Sequence, residues 1–239
     1  MGKTKELKYY DVQKVNTIKQ LLEMAVEQAG DKIAFKYKEG KDKVKDVTYK
    51  EFQEDTFKEF QEDTFELGTA LNSINMADKH VAVIGDNSYK YVTVYLTVLK
   101  SKGVIVPIDK ELPVYDIINV LNDSDSEVLF YAKKYEKDIE EIASKTPNVK
   151  YFIGFETEKS EGNKLSYNEF KAEGKKLYEG GDKTYTEMVP DHNSLKMLVY
   201  TSGTTGMAKG VMLSEHNLIS IVYYGLRVST VCFTMAPYL

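Results

Sequence analysis

The fold class predicted for this chain is α/β: a doubly wound, mostly parallel sheet with flanking helices. Three observations predict it. Apolar runs of strand length recur between Val81 and Gly154, segments of helical periodicity separate them, and the runs are apolar throughout rather than alternating. Strands read that way when both faces are covered, and helical crossovers between them make the sheet parallel.

The elements follow in order. Thr17–Ala29 carries Ile18, Leu21, Leu22, Ala25 and Val26 at the spacing of one helix face, with Gly30 where a C-cap belongs. Ile33–Lys38 and Val44–Thr48 read as strands around a Glu39-Gly40-Lys41 turn. The octapeptide Lys50–Phe57 is then repeated without change as Lys58–Phe65. Its period is too short for a repeat fold, whose units run to about 20–50 residues, so it reads as a tandem duplication within a helix. Thr48-x-x-Glu51 and Thr56-x-x-Glu59 are both capping boxes. Val47 can staple onto Phe52 at the first start, whereas Asp55 occupies the stapling position of the second, so the helix is expected to begin near Thr48. Phe65 should then fall off the stripe of Phe60, Leu67, Leu71 and Ile74.

Val81–Gly85 is the first buried strand and Ser88–Lys100 a largely apolar helix. Val104–Ile108 is a strand, and Pro113–Leu121 a helix with proline at its start, where the missing N–H costs nothing. Val128–Tyr131 (strand), Lys134–Ala143 (helix) and Val149–Gly154 (strand) continue the alternation. Residues 156–191 are polar, with one helix expected near Ser166–Leu177. Leu195–Tyr200 is an apolar strand, and Val211–Leu213 a returning strand before Ser214 opens a last helix.

Composition narrows the function classes. The chain has 239 residues, 42% of them hydrophobic, enough for a sizeable core. Its net charge of −5 is spread along the sequence, and Arg227 is the only arginine. Without a basic stripe, nucleic acid is not the expected partner. A lone cysteine, Cys232, excludes an internal disulfide framework and fits a cytoplasmic setting. Met1–Glu6 lead into no apolar run, so no secretory signal is expected, and the stretches Tyr91–Leu99 and Leu218–Leu226 are too short to span a bilayer.

The chemistry is concentrated in Tyr200-Thr201-Ser202-Gly203-Thr204-Thr205-Gly206-Met207-Ala208-Lys209-Gly210. Glycines let successive N–H groups turn toward one point, forming an anion nest. The hydroxyls add donors, and Lys209 adds a mobile positive charge suited to a polyphosphate. The segment is not a Walker A loop, because Ala208 stands where that motif needs its second glycine and Gly210 where it needs a hydroxyl. No dinucleotide-type glycine fingerprint occurs either.

Thr201–Gly210 resembles the phosphate-binding signature of the AMP-forming, adenylate-forming superfamily, which includes acyl-CoA synthetases, luciferases and peptide-synthetase adenylation domains. Ala208, where proline is usual, is a departure the signature tolerates. Gly103–Pro113 is similar to the family's Gly-x-x-x-x-Pro-x-Asp segment, and its Lys110-Glu111-Leu112-Pro113 continuation resembles bacterial long-chain acyl-CoA synthetases most. Thr48–Phe52 and Leu213–Leu218 resemble the helices at the start of the domain and after the loop. Likeness runs from about residue 15 to residue 220 and fades beyond Ile221.

The resemblance implies a ligase in which a carboxylate attacks the α-phosphate of ATP, giving acyl-AMP and pyrophosphate, after which the thiol of CoA displaces AMP. Thr201, Ser202, Gly203, Thr204, Thr205, Gly206 and Lys209 are the implied phosphate-binding residues. ATP, Mg²⁺ and CoA are the implied cofactors and co-substrates, and a long-chain fatty acid is the favoured substrate. Residues 1–239 are expected to form the N-terminal portion of an AMP-binding (adenylation) domain, without its C-terminal subdomain or small C-terminal domain. No catalytic residue is identifiable, and the chain is expected to be inactive alone and to self-associate through surface the remainder would cover. The other readings are a nucleotide-binding fragment without turnover, an aryl-CoA ligase, or a carrier-protein adenylation domain.

Single residues read more plainly. His216 opens the helix after the loop, and His80 is expected at a solvated strand edge. His192 has no second ligand at metal spacing, so no metal site is predicted. Tyr91 and Tyr95, at i,i+4, read as packing, and Cys232 has no base partner.

Overall fold

A computed structural model describes residues 14–17, 33–39, 43–48, 56–201 and 209–228. They fall into two compact units, Phe60–Ser214 and the segments before and after it. The flanking unit holds an antiparallel pair, β1 (Ile33–Glu39) and β2 (Lys43–Thr48), and the last helix, α6 (Glu215–Val228). The helix expected over Thr17–Ala29, any helix start between residues 49 and 55, and Cys232 lie outside the described residues.

The larger unit follows the predicted alternation. It comprises α1 (Thr56–Ser73), β3 (His80–Ile84), α2 (Tyr89–Lys100), β4 (Val104–Ile108), α3 (Val114–Asp123), β5 (Val128–Tyr131), α4 (Ile139–Lys145), β6 (Tyr151–Gly154), β7 (Lys164–Ser166), α5 (Tyr167–Glu179), β8 (Leu195–Thr201) and β9 (Lys209–Ser214). The seven-stranded sheet has the order β7-β6-β5-β3-β4-β8-β9, parallel except for β9. Val81–Ile84, Ile105, Val106, Leu129, Phe130, Phe152 and Ile153 are fully buried, as the uninterrupted apolar runs require.

Strand periodicity sorts these side chains between two helical layers. Ala82, Ile84, Val106, Leu129 and Phe152 pack with Ile117, Ile118 and Leu121 of α3 and Ile139 and Ile142 of α4. On the other face, Phe130 meets the rings of Phe155 and Tyr167. Ser88 caps α2, its hydroxyl accepting from the Tyr91 N–H. Pro113 is the N-cap of α3, its carbonyl accepting from Asp116 and Ile117.

Three expectations meet a different outcome. The helix expected over Lys134–Ala143 is split into a 3₁₀ turn at Lys133–Tyr135 and α4. Tyr135 is buried with its hydroxyl donating to the Lys110 carbonyl at 2.9 Å, and that anchor holds the turn apart from the helix. Strand β7 has too few apolar residues to announce itself and exists as an edge, paired with β6 alone. His80 is half-buried rather than solvated, with Nδ1 2.6 Å from the Ser124 carbonyl.

Within the duplication, the second copy packs specifically. Phe65 is half-buried off the Leu67/Leu71 stripe, as expected, its ring 5.7 Å from that of Tyr178. Asp63 pairs with Lys171, while Glu66, just beyond the copy, pairs with Lys175. These contacts bring α1 against α5 at Gly174, where an added Cβ would stand 1.9 Å from the Glu66 carbonyl oxygen. Alanine would favour the helix by about 0.8–1 kcal/mol over glycine, but overpacking against a backbone atom costs about 1–3 kcal/mol. Gly174→Ala should therefore lower the urea midpoint of unfolding, with a net loss of up to roughly 2 kcal/mol.

Candidate functional site

The glycine- and hydroxyl-rich segment joins β8 to β9, and the structure fixes both of its ends. β8 and β9 pair antiparallel with Thr201 opposite Lys209 and Tyr200 opposite Gly210. Both Thr201 and Lys209 are exposed. A hydroxyl and an ammonium therefore occupy facing positions at the mouth of the hairpin, Cα atoms about 4.5–5.5 Å apart as in any antiparallel pair. Ser202, Gly203, Thr204, Thr205 and Gly206 lie outside the described residues; of the sequence-predicted site, the structure brings together Thr201 and Lys209.

The strand that delivers this segment is lightly held by its main chain. β8 pairs with β4 at Ile105↔Met197 alone among the described residues. Pro107, two residues further along β4, has no N–H with which to extend a ladder. Side chains supply the remaining attachment. Lys196 is only 1% exposed, and its Nζ donates to the carbonyl oxygens of Ser101 and, at 3.3 Å, Gly103. Ser101 is the C-cap of α2, so a buried cation sits where helix carbonyls lack intrahelical partners. Tyr95 adds a contact from its hydroxyl to the Met197 sulfur at 3.5 Å and stacks near Tyr91, consistent with packing.

At the other end of β8 the Tyr200 hydroxyl donates to Asp123 Oδ2 at 2.6 Å. Burial first, and then the hydrogen bond and the charges of Asp123 and Asp125, push the phenol well above the usual tyrosine range, so it remains a donor at physiological pH. Its ring lies against Gly210, where an added Cβ would stand 3.1 Å from Cζ. Tyr200 opens the motif read from the sequence, but neither its tie to Asp123 nor the buried role of Lys196 is among the sequence expectations. A lysine inside the apolar run Leu195–Leu198 was the available signal for one; for the other there was none, because its partner is on a separate helix.

The Lys110–Pro113 segment is held by polar contacts. Asp86 pairs with Lys110, the Asp109 carboxylate accepts from the Glu111 N–H, and the Lys110 carbonyl accepts from Tyr135 and Lys134. His216 is exposed on α6. Among the described residues no group of three His, Cys, Asp or Glu is placed to hold a metal, and no helix is long and apolar enough to cross a membrane.

Comparison with known proteins identifies a family and a shared fold. The family described as AMP-binding enzyme matches residues 22–238. Tyrocidine synthase 3 of Brevibacillus parabrevis is 27% identical over 164 residues, which cover 68% of this chain and 2% of that protein. A malonate–CoA ligase of Arabidopsis thaliana is 27% identical over 146 residues, 59% of this chain and 22% of the relative. The structure of a long-chain-fatty-acid-CoA ligase from Archaeoglobus fulgidus superposes with a TM-score of 0.65 at 21% identity, covering 93% of this chain and 42% of that one. An anthranilate CoA ligase in complex with anthranoyl-AMP gives 0.63 at 18% identity, covering 87% and 35%. The chain thus spans less than half the length of each of these proteins.

The buried lysine yields a test independent of any ligand. Lys196→Met keeps the stem but leaves buried carbonyls without their charged donor. Hydrogen bonds to charged groups contribute about 1.5–3 kcal/mol, and the variant should lose about that much stability in urea titration. Exposed Lys102→Met is the control and should change little.

Proposed function

Because this chain belongs to the AMP-binding enzyme family, we propose that it carries the phosphate-binding part of an ATP-dependent, adenylate-forming ligase. In this reading a carboxylate attacks the α-phosphate of ATP, pyrophosphate leaves, and the acyl group of the resulting acyl-AMP is passed to the thiol of CoA with release of AMP. The single observation that carries it is the pairing of exposed Thr201 with exposed Lys209 across the mouth of the hairpin whose sequence bears the family's phosphate signature. Thr201, Ser202, Gly203, Thr204, Thr205 and Gly206 offer hydroxyl and backbone donors to the β- and γ-phosphates, and Lys209 neutralises charge that grows on the departing pyrophosphate. Mg²⁺, carried on the phosphates of ATP, would screen the same charge.

For the acyl substrate we propose a long-chain fatty acid. Support comes from the Lys110–Pro113 likeness and from the fold shared with fatty-acid ligase structures. Lys110 and Asp109 also serve structural contacts, and the relatives include a tyrocidine synthase and a malonate–CoA ligase. We further propose that residues 1–239 act as the N-terminal portion of an adenylation domain whose remaining groups lie on further polypeptide.

Two measurements test this. In calorimetric titration of the 239-residue chain, Lys209→Ala should weaken ATP by about 1.5–3 kcal/mol and leave AMP, which lacks the β- and γ-phosphates, nearly unchanged. Equal losses for both nucleotides would place Lys209 elsewhere. In ATP–pyrophosphate exchange with palmitate and Mg²⁺, the chain alone should show no turnover above the Lys209→Ala background. Removing even one transition-state donor costs about 10²–10³ in rate, and this reading leaves several groups to the rest of the ligase.

A further inference from the structure

Tyr200 is not among the residues read as touching phosphate, yet it is the side chain best placed to fix those that do. Its strand meets the parallel sheet through the single pair Ile105↔Met197, so the ladder does not determine where the far end of β8 lies. Lys196 secures the near end through the Ser101 and Gly103 carbonyls. Beyond Met197, Tyr200 joins two further elements. Its ring covers Gly210, its partner across the hairpin, and its hydroxyl reaches Asp123, the last residue of α3.

This pair stands immediately next to Thr201↔Lys209. Any tilt of the hairpin about β8 carries Thr201 and Lys209 with it. Asp123 is itself well fixed, because α3 packs into the core through Ile117, Ile118, Val120 and Leu121. The chain leaving α3 is pinned as well: Ser124 bonds back to Val120, Ser126 to Leu121, and Asp125 takes the left-handed backbone conformation that aspartate tolerates. The Asp123 side chain is exposed, but the backbone that carries it is pinned, so the 2.6 Å bond ties the Tyr200 hydroxyl to the end of α3.

We propose that Tyr200 is a positioning residue for the phosphate site: its hydrogen bond to Asp123, with its ring across Gly210, holds the β8–β9 hairpin so that Thr201 and Lys209 present together to a polyphosphate. The inference rests on the phosphate-binding reading given above and adds to it the element that sets the geometry. A purely structural tyrosine would contribute stability without affecting ligand affinity.

The test uses the full 239-residue chain with Tyr200→Phe, Asp123→Ala, Asp123→Asn and the Tyr200→Phe/Asp123→Ala double variant. Affinity for Mg²⁺–pyrophosphate is read by calorimetric titration, and amide exchange of the 195–214 segment is read without ligand. Tyr200→Phe and Asp123→Ala should each weaken pyrophosphate by about tenfold, the scale of one hydrogen bond to a charged group, and the double variant no further. Asp123→Asn keeps an oxygen acceptor and should return affinity to within about twofold of the parent. In ligand-free protein, exchange in the segment should rise about tenfold for Tyr200→Phe and stay near the parent for Asp123→Asn.

Unchanged exchange would overturn the clamp itself. Raised exchange with unchanged pyrophosphate affinity would reduce Tyr200 to a structural residue and overturn its positioning role. A parent chain that binds no pyrophosphate, while exchange still responds to Tyr200→Phe, would instead remove the phosphate reading and the positioning role with it.

Discussion

The attachment of β8 to β4 is the constraint on which the candidate site depends. A parallel strand is ordinarily located by a ladder of slanted main-chain bonds along its length. Here the described ladder comes down to Ile105↔Met197, and Pro107 prevents its extension. Position along and across the sheet is therefore delegated to side chains. A buried ammonium at Lys196 seeks out the carbonyls around the C-cap of α2, and a phenol at Tyr200 seeks a carboxylate at the end of α3. Both partners lie at the ends of helices seated on the buried sheet, so β8 is tied to the core at Lys196 and at Tyr200.

Much of this architecture was legible in the sequence, for a simple reason. Val81–Ile84, Val104–Ile108 and Val128–Tyr131 are strands covered on both faces, and a doubly covered strand has no choice but to be apolar throughout. The family was legible because the signature that resembles it is carried by contiguous residues. What escaped was everything decided by a partner remote in sequence. Tyr135 breaks a helix because the Lys110 carbonyl is within reach, β7 exists because β6 offers an edge, and Tyr200 acquires a role because Asp123 ends beside it.

The duplicated octapeptide makes the same point from inside the chain. Lys50–Phe57 and Lys58–Phe65 have identical propensities, yet what the second copy does is set by its surroundings. Asp63 meets Lys171, Thr64 is fully buried and accepts from Lys100, and Phe65 lies between Tyr178 and Lys100. Local sequence offers the same capping box twice; the lysines of α5 and α2 give the second copy its particular contacts.

Pro107 has a consequence for how the chain assembles. Five strands, β7-β6-β5-β3-β4, can pair as soon as residue 166 has been made, and β4 is then the boundary of the growing sheet. Met197, which will cover that boundary, is still separated from it by α5 and the long connection that follows. Throughout that interval β4 is an open apolar edge, the kind of template that recruits wrong partners from the same chain or from neighbours. A proline in it removes one of the donors an intruding strand would need. The same residue that leaves β8 lightly tethered in the finished protein thus gives any competing strand one donor fewer along the edge that β8 covers.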